Sequence, residues 1–275
     1  MELKRPRRGP VRAWRIGLHG FCAFVFLFLM APLIVVFPIS FSSSPYLQFP
    51  PPGWSLRWYV AYVDDTAWID ATLRSLKVAG ATMLLSTVLG TLLAFAVVRG
   101  RYYPGKSLLN QFALLPLIVP VIVYSIAVYG LFAQLRLIGD WKAIVLGHTV
   151  HAIPFVVILV AAALRTYDEN YELAAMSLGA SRLRAVWRIT LPQIRPALIS
   201  AMFLAFISSF DELVVAMFLG GSNMTLPKKM FDNIVNAIDP TIAAVSVLQI
   251  VLVTAVLGLV SKFGAGAAPS GTGHG

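Results

Sequence analysis

Mostly apolar stretches of about twenty residues recur along this chain, separated by shorter segments that hold most of its charge. A helix of that length crosses the ~30 Å hydrocarbon core of a bilayer and satisfies its own backbone hydrogen bonds. The pattern predicts six membrane-spanning helices, over residues 18–39, 78–98, 108–132, 143–164, 197–219 and 241–261. Pro116, Pro120 and Pro154 lie inside these spans and are expected to kink them.

The composition agrees with a membrane protein. Of the 275 residues, 58% are hydrophobic and only 12% are charged, whereas a soluble domain carries roughly a quarter charged residues. So little charge cannot cover a water-soluble globule of this size. The predicted fold class is therefore an all-α integral membrane protein with six transmembrane helices. Cys22 is the only cysteine, which excludes a disulfide framework or a cysteine-ligated metal site.

The formal net charge of +10 is unevenly distributed. Placing the basic N-terminus in the cytoplasm puts most Lys and Arg residues on the cytoplasmic side of the six spans, as the positive-inside rule requires. Both termini are expected to be cytoplasmic. The predicted organisation is a basic N-terminus over 1–17, a six-helix membrane domain over 18–263 and a flexible tail over 264–275. Closely spaced Trp and Tyr residues predict a short interfacial helix over 55–63.

The segment Gly100 to Ser107 matches the phosphate-binding loop pattern GxxxxGK[ST]. That loop works when a strand of a parallel sheet delivers backbone N–H groups around the phosphates at a helix N-terminus. Here predicted spans flank the segment on both sides, so it is interpreted as a positively charged cytoplasmic loop.

Polar side chains inside the predicted spans allow more than one interpretation. His148 and His151 share a helix face, where they either form buried hydrogen bonds or serve a transport pathway, and a metal site would need further ligands. Asp211 and Glu212 lie in the fifth predicted span and are candidates for the translocation path. Because charges in a membrane are costly, these acids either pair with neighbouring helices or attract a cationic solute.

The cytoplasmic segment 165–195 is long for a simple connection. Its sequence predicts a helix over 171–178 that ends at Gly179, then a second helix over 182–189 capped by Ser181 and stopped at Pro192. Apolar residues that are expected to be exposed in this segment argue for a protein partner, and they are Leu173, Met176, Leu178, Val186 and Trp187.

This segment resembles the permease subunits of binding-protein-dependent ABC importers, whose signature reads EAA, three residues, Gly, nine residues, Ile-x-Leu-Pro. The matching positions are Ala174, Ala175, Gly179, Ile189, Leu191 and Pro192. Leu173 occupies the Glu position of the signature, and Glu172 precedes it. The resemblance implies an ATPase-coupling segment that includes Glu172 and Leu173. It also implies a second permease subunit, two ATPase subunits that hold ATP and Mg, and a periplasmic solute-binding protein. It implies no cofactor, metal, catalytic residue or nucleic acid on this chain.

Further motifs look like the C-type permeases of spermidine/putrescine importers. They are the runs beginning at Ser55, Ser75, Phe210 and Thr225. The resemblance implies a polyamine importer permease in the bacterial inner membrane. Opines, amino-acid-like cations and aminophosphonates remain alternative solutes. A secondary transporter or a channel is the alternative from another class, and the signature in segment 165–195 argues against both.

Overall fold

The computed structural model describes residues 9–100, 104–236 and 239–265. Within these residues the regular structure is helical, with one isolated β-bridge between Ser42 and Trp54. The chain divides into two compact units. The first contains residues up to 64 together with 239–249, and the second contains residues 65–236 together with 250–265.

The first unit contains helix α1 (Gly9–Ser40) and the short helix α2 (Arg57–Asp64). The side chains of α1 are largely exposed and apolar, as expected for a helix in contact with lipid. The end of α1 is tied to α2, because the Ser40 and Tyr59 hydroxyls lie 2.8 Å apart. The segment between the helices is tied to α2 as well, because Arg57 donates to the Ser43 carbonyl at 3.0 Å. The helix predicted over 55–63 is thus confirmed as α2.

The second unit holds the other helices and the end of α13, which begins in the first unit. These helices are α3 (Thr66–Arg99), α4 (Lys106–Ile118), α5 (Val121–Gln134), α6 (Trp141–Thr166), α7 (Asn170–Ser177), α8 (Arg182–Ala185), α9 (Leu191–Gln193), α10 (Arg195–Phe210), α11 (Val214–Leu219), α12 (Leu226–Asn236) and α13 (Thr241–Ala265). A π-helical turn, Val186–Thr190, joins α8 to α9.

The core of the second unit forms where α3, α6 and α10 pack together. Small residues allow this packing: Ala94 on α3, Ala152 on α6, and Ala201 and Ala205 on α10 are all buried. Gly90 is the extreme case, because a Cβ atom there would lie 2.7 Å from the Cβ of Val156 on α6. Membrane helices associate through such small residues because lipid supplies little hydrophobic driving force between them.

The predicted third span, 108–132, is wrong as a single kinked helix. The structure has two helices, α4 and α5, which meet at 109°. Pro120 lacks a backbone N–H and forces Val119 before it into an extended conformation (φ −76°, ψ 128°), which ends α4. Each helix is only about 20 Å long, so neither crosses the hydrocarbon core alone.

The predicted fifth span, 197–219, is also wrong as a continuous helix. Helix α10 ends at Phe210, and α11 begins at Val214 after a break at Asp211. Before α10, the helical path bends by 73° at Ile194. The prediction that Pro192 stops the second helix of segment 165–195 is also wrong. Pro192 occupies the first turn of α9, where its missing N–H is tolerated.

Within residues 9–100, 104–236 and 239–265, four helices are long and apolar enough to cross a membrane, and the number rises to six if each bent pair counts as one span. Helix α13 continues through Ala265, two residues into the tail predicted over 264–275. Residues 266–275 of that tail lie outside the described residues.

Candidate functional site

The segment 165–195, called the platform below, folds as two short helices joined by a tight turn. Asp168 accepts a hydrogen bond from the Asn170 amide at 3.0 Å at the start of α7. Gly179 ends the helix with φ +90°, as its position in the sequence predicts. The Ser181 hydroxyl accepts from the Arg184 amide at 3.4 Å and caps α8, which is also confirmed.

Helix α7 has the reverse of the usual amphipathic arrangement. Its only buried residue is the acidic Glu172, which is 8% exposed. In contrast, Leu173 is 57% exposed and Leu178, just after the helix, is 91% exposed. The other exposed apolar side chains of the platform are Tyr171, Met176, Leu183 and Trp187. Val186, which the sequence predicts as exposed, is half-buried instead.

The buried carboxylate of Glu172 joins three parts of the fold. It accepts a hydrogen bond from the Thr190 hydroxyl at 2.5 Å, which links α7 to the π-helical turn. Its Oε1 lies 3.9 Å from Nη2 of Arg99, the last residue of α3. Arg99 also forms an ion pair with the exposed Glu169 and lies 5.4 Å from the ring centroid of Tyr167.

Sequence reasoning missed Arg99 and Thr190 as site residues. The side chain of Arg99 is only 7% exposed, although its position after an apolar span marks it as a topology charge. The available signal in the sequence was Glu172, an acid that stands one residue before the Glu position of the importer signature, where this chain has Leu173. A buried acid next to the motif requires a basic or hydroxyl partner.

The remaining signature residues line or flank a shallow groove of about 360 Å³ between α7 and α8. Ala175, Gly179 and Ile189 line it, and Arg184 and Arg188 add positive charge. Outside the groove lining, Ala174 and Pro192 are exposed and Leu191 is half-buried. The groove therefore combines apolar side chains, small residues and basic groups.

The two acids of the fifth predicted span lie in the break between α10 and α11. Asp211 is exposed and ends α10, while Glu212 is half-buried. The Glu212 carboxylate accepts a hydrogen bond from the Val215 amide at 3.0 Å and so stabilises the first turn of α11. No helix runs through both acids, so helical periodicity does not set the directions of their side chains.

A polar cluster connects α5, α6 and α10 near this break. His148 is 2% exposed, and its Nδ1 lies 2.8 Å from the Ser209 hydroxyl. The Tyr124 hydroxyl donates to the Gly147 carbonyl at 2.7 Å. His151 packs between the rings of Tyr124 and Phe155. In the described part of the chain, no group of three His, Cys, Asp or Glu side chains is arranged to hold a metal ion.

Lys106, the lysine of the phosphate-loop pattern, donates to the Gly100 carbonyl at 2.7 Å. Its ammonium group thus bonds to the backbone of its own loop. Gly105 adopts φ +91° immediately before α4. Residues 101–103 of this pattern lie outside the described residues.

Solved structures share this fold. A bacterial ABC transporter involved in import of the acidic polysaccharide alginate matches with a TM-score of 0.71 at 18% identity, and the match covers 95% of this chain and 99% of that chain. The MetNI methionine ABC transporter in an inward-facing conformation matches with a TM-score of 0.61 at 18% identity, covering 73% of this chain and 95% of that chain. At such low identity these similarities establish the fold alone.

Sequence relatives are more similar. The putrescine transport system permease protein PotI of Escherichia coli (strain K12) is 35% identical over 81% of this chain and 82% of its own length. The spermidine/putrescine permease PotC of Haemophilus influenzae is 29% identical, over 85% and 91%. The molybdenum transport system permease protein ModB of Mycobacterium bovis is 32% identical, over 75% and 83%. Residues 86–267 match a family model that covers most of the chain. The chain therefore belongs to the family of binding-protein-dependent transport system inner membrane components.

Proposed function

We propose that this chain is a permease subunit of an ATP-driven polyamine importer. It assembles with a second, related permease, two ATPase subunits and a periplasmic solute-binding protein. ATP and Mg bind to the ATPase subunits, and this chain supplies the membrane path and the surface on which an ATPase docks. The observation that carries the proposal is the reversed burial pattern of α7, with an acid inside and leucines outside.

Exposed leucines on a short helix outside the membrane spans indicate a protein partner, because contact between apolar side chains and water is unfavourable in free energy. Fully burying one leucine contributes about 1.5–3 kcal/mol. Since Leu178 is 91% exposed, a docked ATPase gains nearly that whole amount at this single side chain. The adjacent groove, with its small side chains, allows a partner backbone to approach closely.

In this mechanism, ATP closes the paired ATPases and displaces the platform. The paired permeases then open outward to receive solute, and hydrolysis resets them to the inward-facing state.

The platform and both termini lie in the cytoplasm. In a Cys22→Ala background, an impermeant thiol reagent added outside should label Ser222→Cys and spare Ser177→Cys. Labelling of Ser177→Cys from outside would contradict the proposed mechanism, because ATPases act in the cytoplasm.

Docking is tested by replacing Leu178 with Asn, which has a similar size but no apolar side chain. Loss of one buried leucine should weaken retention of the ATPase subunits by roughly ten- to a hundredfold in co-purification. Ser177→Ala, at the neighbouring exposed position, is the matched control and should retain them normally. If Leu178→Asn retains the ATPases as well as the control does, the docking surface is elsewhere.

A cationic solute is supported by the break between α10 and α11. The C-terminal end of α10 carries partial negative charge from its unpaired carbonyl groups, and Asp211 and Glu212 add two carboxylates there. Relatives named for putrescine and spermidine agree with this. Uptake of radiolabelled putrescine, in cells that lack their own polyamine importers, tests the assignment.

Molybdenum is the second candidate solute, because a relative named for its transport is 32% identical over 75% of this chain. The same cells distinguish the two solutes. Accumulation of molybdenum without putrescine would overturn the polyamine assignment and leave the importer assignment standing.

A further inference from the structure

Helix α3 runs without interruption for 34 residues, from Thr66 to Arg99. At 1.5 Å per residue it is about 50 Å long, well beyond the ~30 Å of hydrocarbon. It packs along both α6 and α10 in the core. A helix held in this way moves as a rigid element, so a displacement at one end reaches the other.

At its platform end, α3 is attached through Arg99. The guanidinium is nearly buried, and its two acidic neighbours, Glu169 and Glu172, both lie on the platform. Glu172 is itself buried and bonded to Thr190. Removing one partner of a buried pair leaves an uncompensated charge, so the native arrangement holds α7 against the end of α3.

At its other end, α3 is attached to α12. The amide of Leu226, the first residue of α12, donates to the buried Ser75 hydroxyl at 2.7 Å. The Lys229 ammonium lies 5.4 Å from the ring centroid of Trp68. Both α3 partners lie in its first three turns, so α12 is fixed near the end opposite the platform.

The covalent route from the platform into the membrane is less rigid. It passes through the π-helical turn, the 73° bend at Ile194 and the break at Asp211. Breaks of this kind absorb rotation by changing backbone dihedral angles. A displacement of α7 therefore has a straighter path through Arg99 and α3 than through α8 to α10.

We propose that α3 is a strut that carries movement of the platform to α12 on the opposite side of the membrane, with Glu172 and Arg99 as positioning residues for this coupling. The proposal rests on the proposed docking of an ATPase at the platform. It adds a second, non-covalent connection through Arg99 and names α12 as the element that receives the movement.

The test follows α12 in the assembled complex. Val235 on α12 is 64% exposed, and Val235→Cys in a Cys22→Ala background serves as the reporter. Its maleimide labelling rate is compared without nucleotide and after trapping with ATP and vanadate. Trapping should change the rate in the reporter complex, and Glu172→Gln or Arg99→Gln should reduce that change by at least about fivefold.

Three further variants make the test specific. Asp168→Asn removes one negative charge from the same loop, and its effect on the trapping response should be negligible. Ser75→Ala, at the far end of α3, should reduce the response while ATPase retention stays normal. Thr190→Val, which keeps the shape of threonine and removes only its hydroxyl, should also reduce the response and provides the test if the Arg99 variant is poorly folded.

The outcomes separate the two proposals. If the complex neither retains its ATPase subunits nor imports solute with ATP, the proposed function itself is in error. If it does both and trapping leaves the labelling rate of the unmodified reporter complex unchanged, α12 does not follow the platform and the strut is wrong. If the reporter responds and Glu172→Gln, Thr190→Val and Ser75→Ala all preserve the response, the strut is wrong and the importer assignment survives. A double variant Arg99→Gln/Glu172→Gln should be no worse than Arg99→Gln alone, because Arg99→Gln already removes the ion pairs to both Glu169 and Glu172. Additive losses would also overturn the strut.

Discussion

Gly90 and Gly80 provide a matched pair of sites for testing how tightly α3 packs against α6. Both are interior glycines of the same helix. A Cβ atom at Gly90 would lie 2.7 Å from the Cβ of Val156, 2.8 Å from its Cγ1 and 3.3 Å from the Ile153 carbonyl oxygen. The Val156 Cβ and the Ile153 carbonyl belong to the framework of α6, so side-chain rotation cannot relieve these contacts. At Gly80 nothing lies within 4 Å.

The expected difference in the free energy of unfolding between Gly90→Ala and Gly80→Ala follows from two opposing effects. Replacing glycine by alanine inside a helix stabilises it by about 0.5–1 kcal/mol, because alanine loses less backbone entropy on folding. This gain applies at both positions. At Gly90 the added methyl group also forces α3 and α6 apart, and overpacking of this kind costs about 1–3 kcal/mol. Because the helix-propensity gain cancels in the comparison, Gly90→Ala should be less stable than Gly80→Ala by about 1–3 kcal/mol.

The assay is reversible unfolding of the isolated chain in mixed detergent micelles with increasing dodecyl sulfate, followed by circular dichroism. The isolated chain is used because Gly80 lines an apolar groove that a partner subunit can cover in the complex. Gly80→Ala should unfold at the same or a higher denaturant fraction than the unsubstituted chain, and Gly90→Ala at a lower one. Equal stabilities for the two variants would show that α3 and α6 are not in close contact at Gly90.

Three further predictions concern transport. Gly179→Val should lower putrescine uptake by about tenfold or more without loss of membrane insertion, because φ +90° is strained for a β-branched residue. Gly179→Asn, which tolerates that conformation, should keep most uptake, and equal uptake by the two variants would contradict the turn argument. Lys106→Ala should leave ATP binding and hydrolysis by the complex unchanged, and ATP crosslinking to the purified chain through Lys106 would refute this. Asp211→Asn and Glu212→Gln should lower polyamine uptake while solute binding by the periplasmic partner stays normal, and full transport by both would show that their charge is not needed.

The apolar runs predict the helical membrane fold. Because polar groups are costly to bury in lipid, segments that cross a membrane must be long and apolar, and this property can be read from the sequence. They do not predict where a helix breaks inside a run. A hydropathy window averages over Val119 and Pro120 and over Phe210 and Asp211, so it reports a continuous apolar stretch at both places. At the first place Pro120 ends α4, and at the second the Glu212 carboxylate bonds to the first turn of α11, and neither effect is visible in an average over the run.

The local turn of the platform was predictable, whereas its attachment to α3 was not. Gly179 and Ser181 act on the backbone within a few residues of themselves, so their roles can be read from sequence. Arg99 lies on another helix, and Glu172 is bonded to a threonine 18 residues away. Sequence alone assigns such an arginine to topology, because only the packed structure shows that its side chain is buried.

The departure from the importer signature has a structural consequence at α7. The acid of the signature is displaced by one position, from 173 to 172, and one residue corresponds to a rotation of about 100° around a helix. That rotation takes the carboxylate from the exposed side, where Leu173 now lies, to the buried side, where it bonds to Thr190. An exposed acid would favour docking through an ion pair that salt weakens. With leucine in its place, the proposed docking depends on apolar area, and the displaced charge serves the attachment to α3.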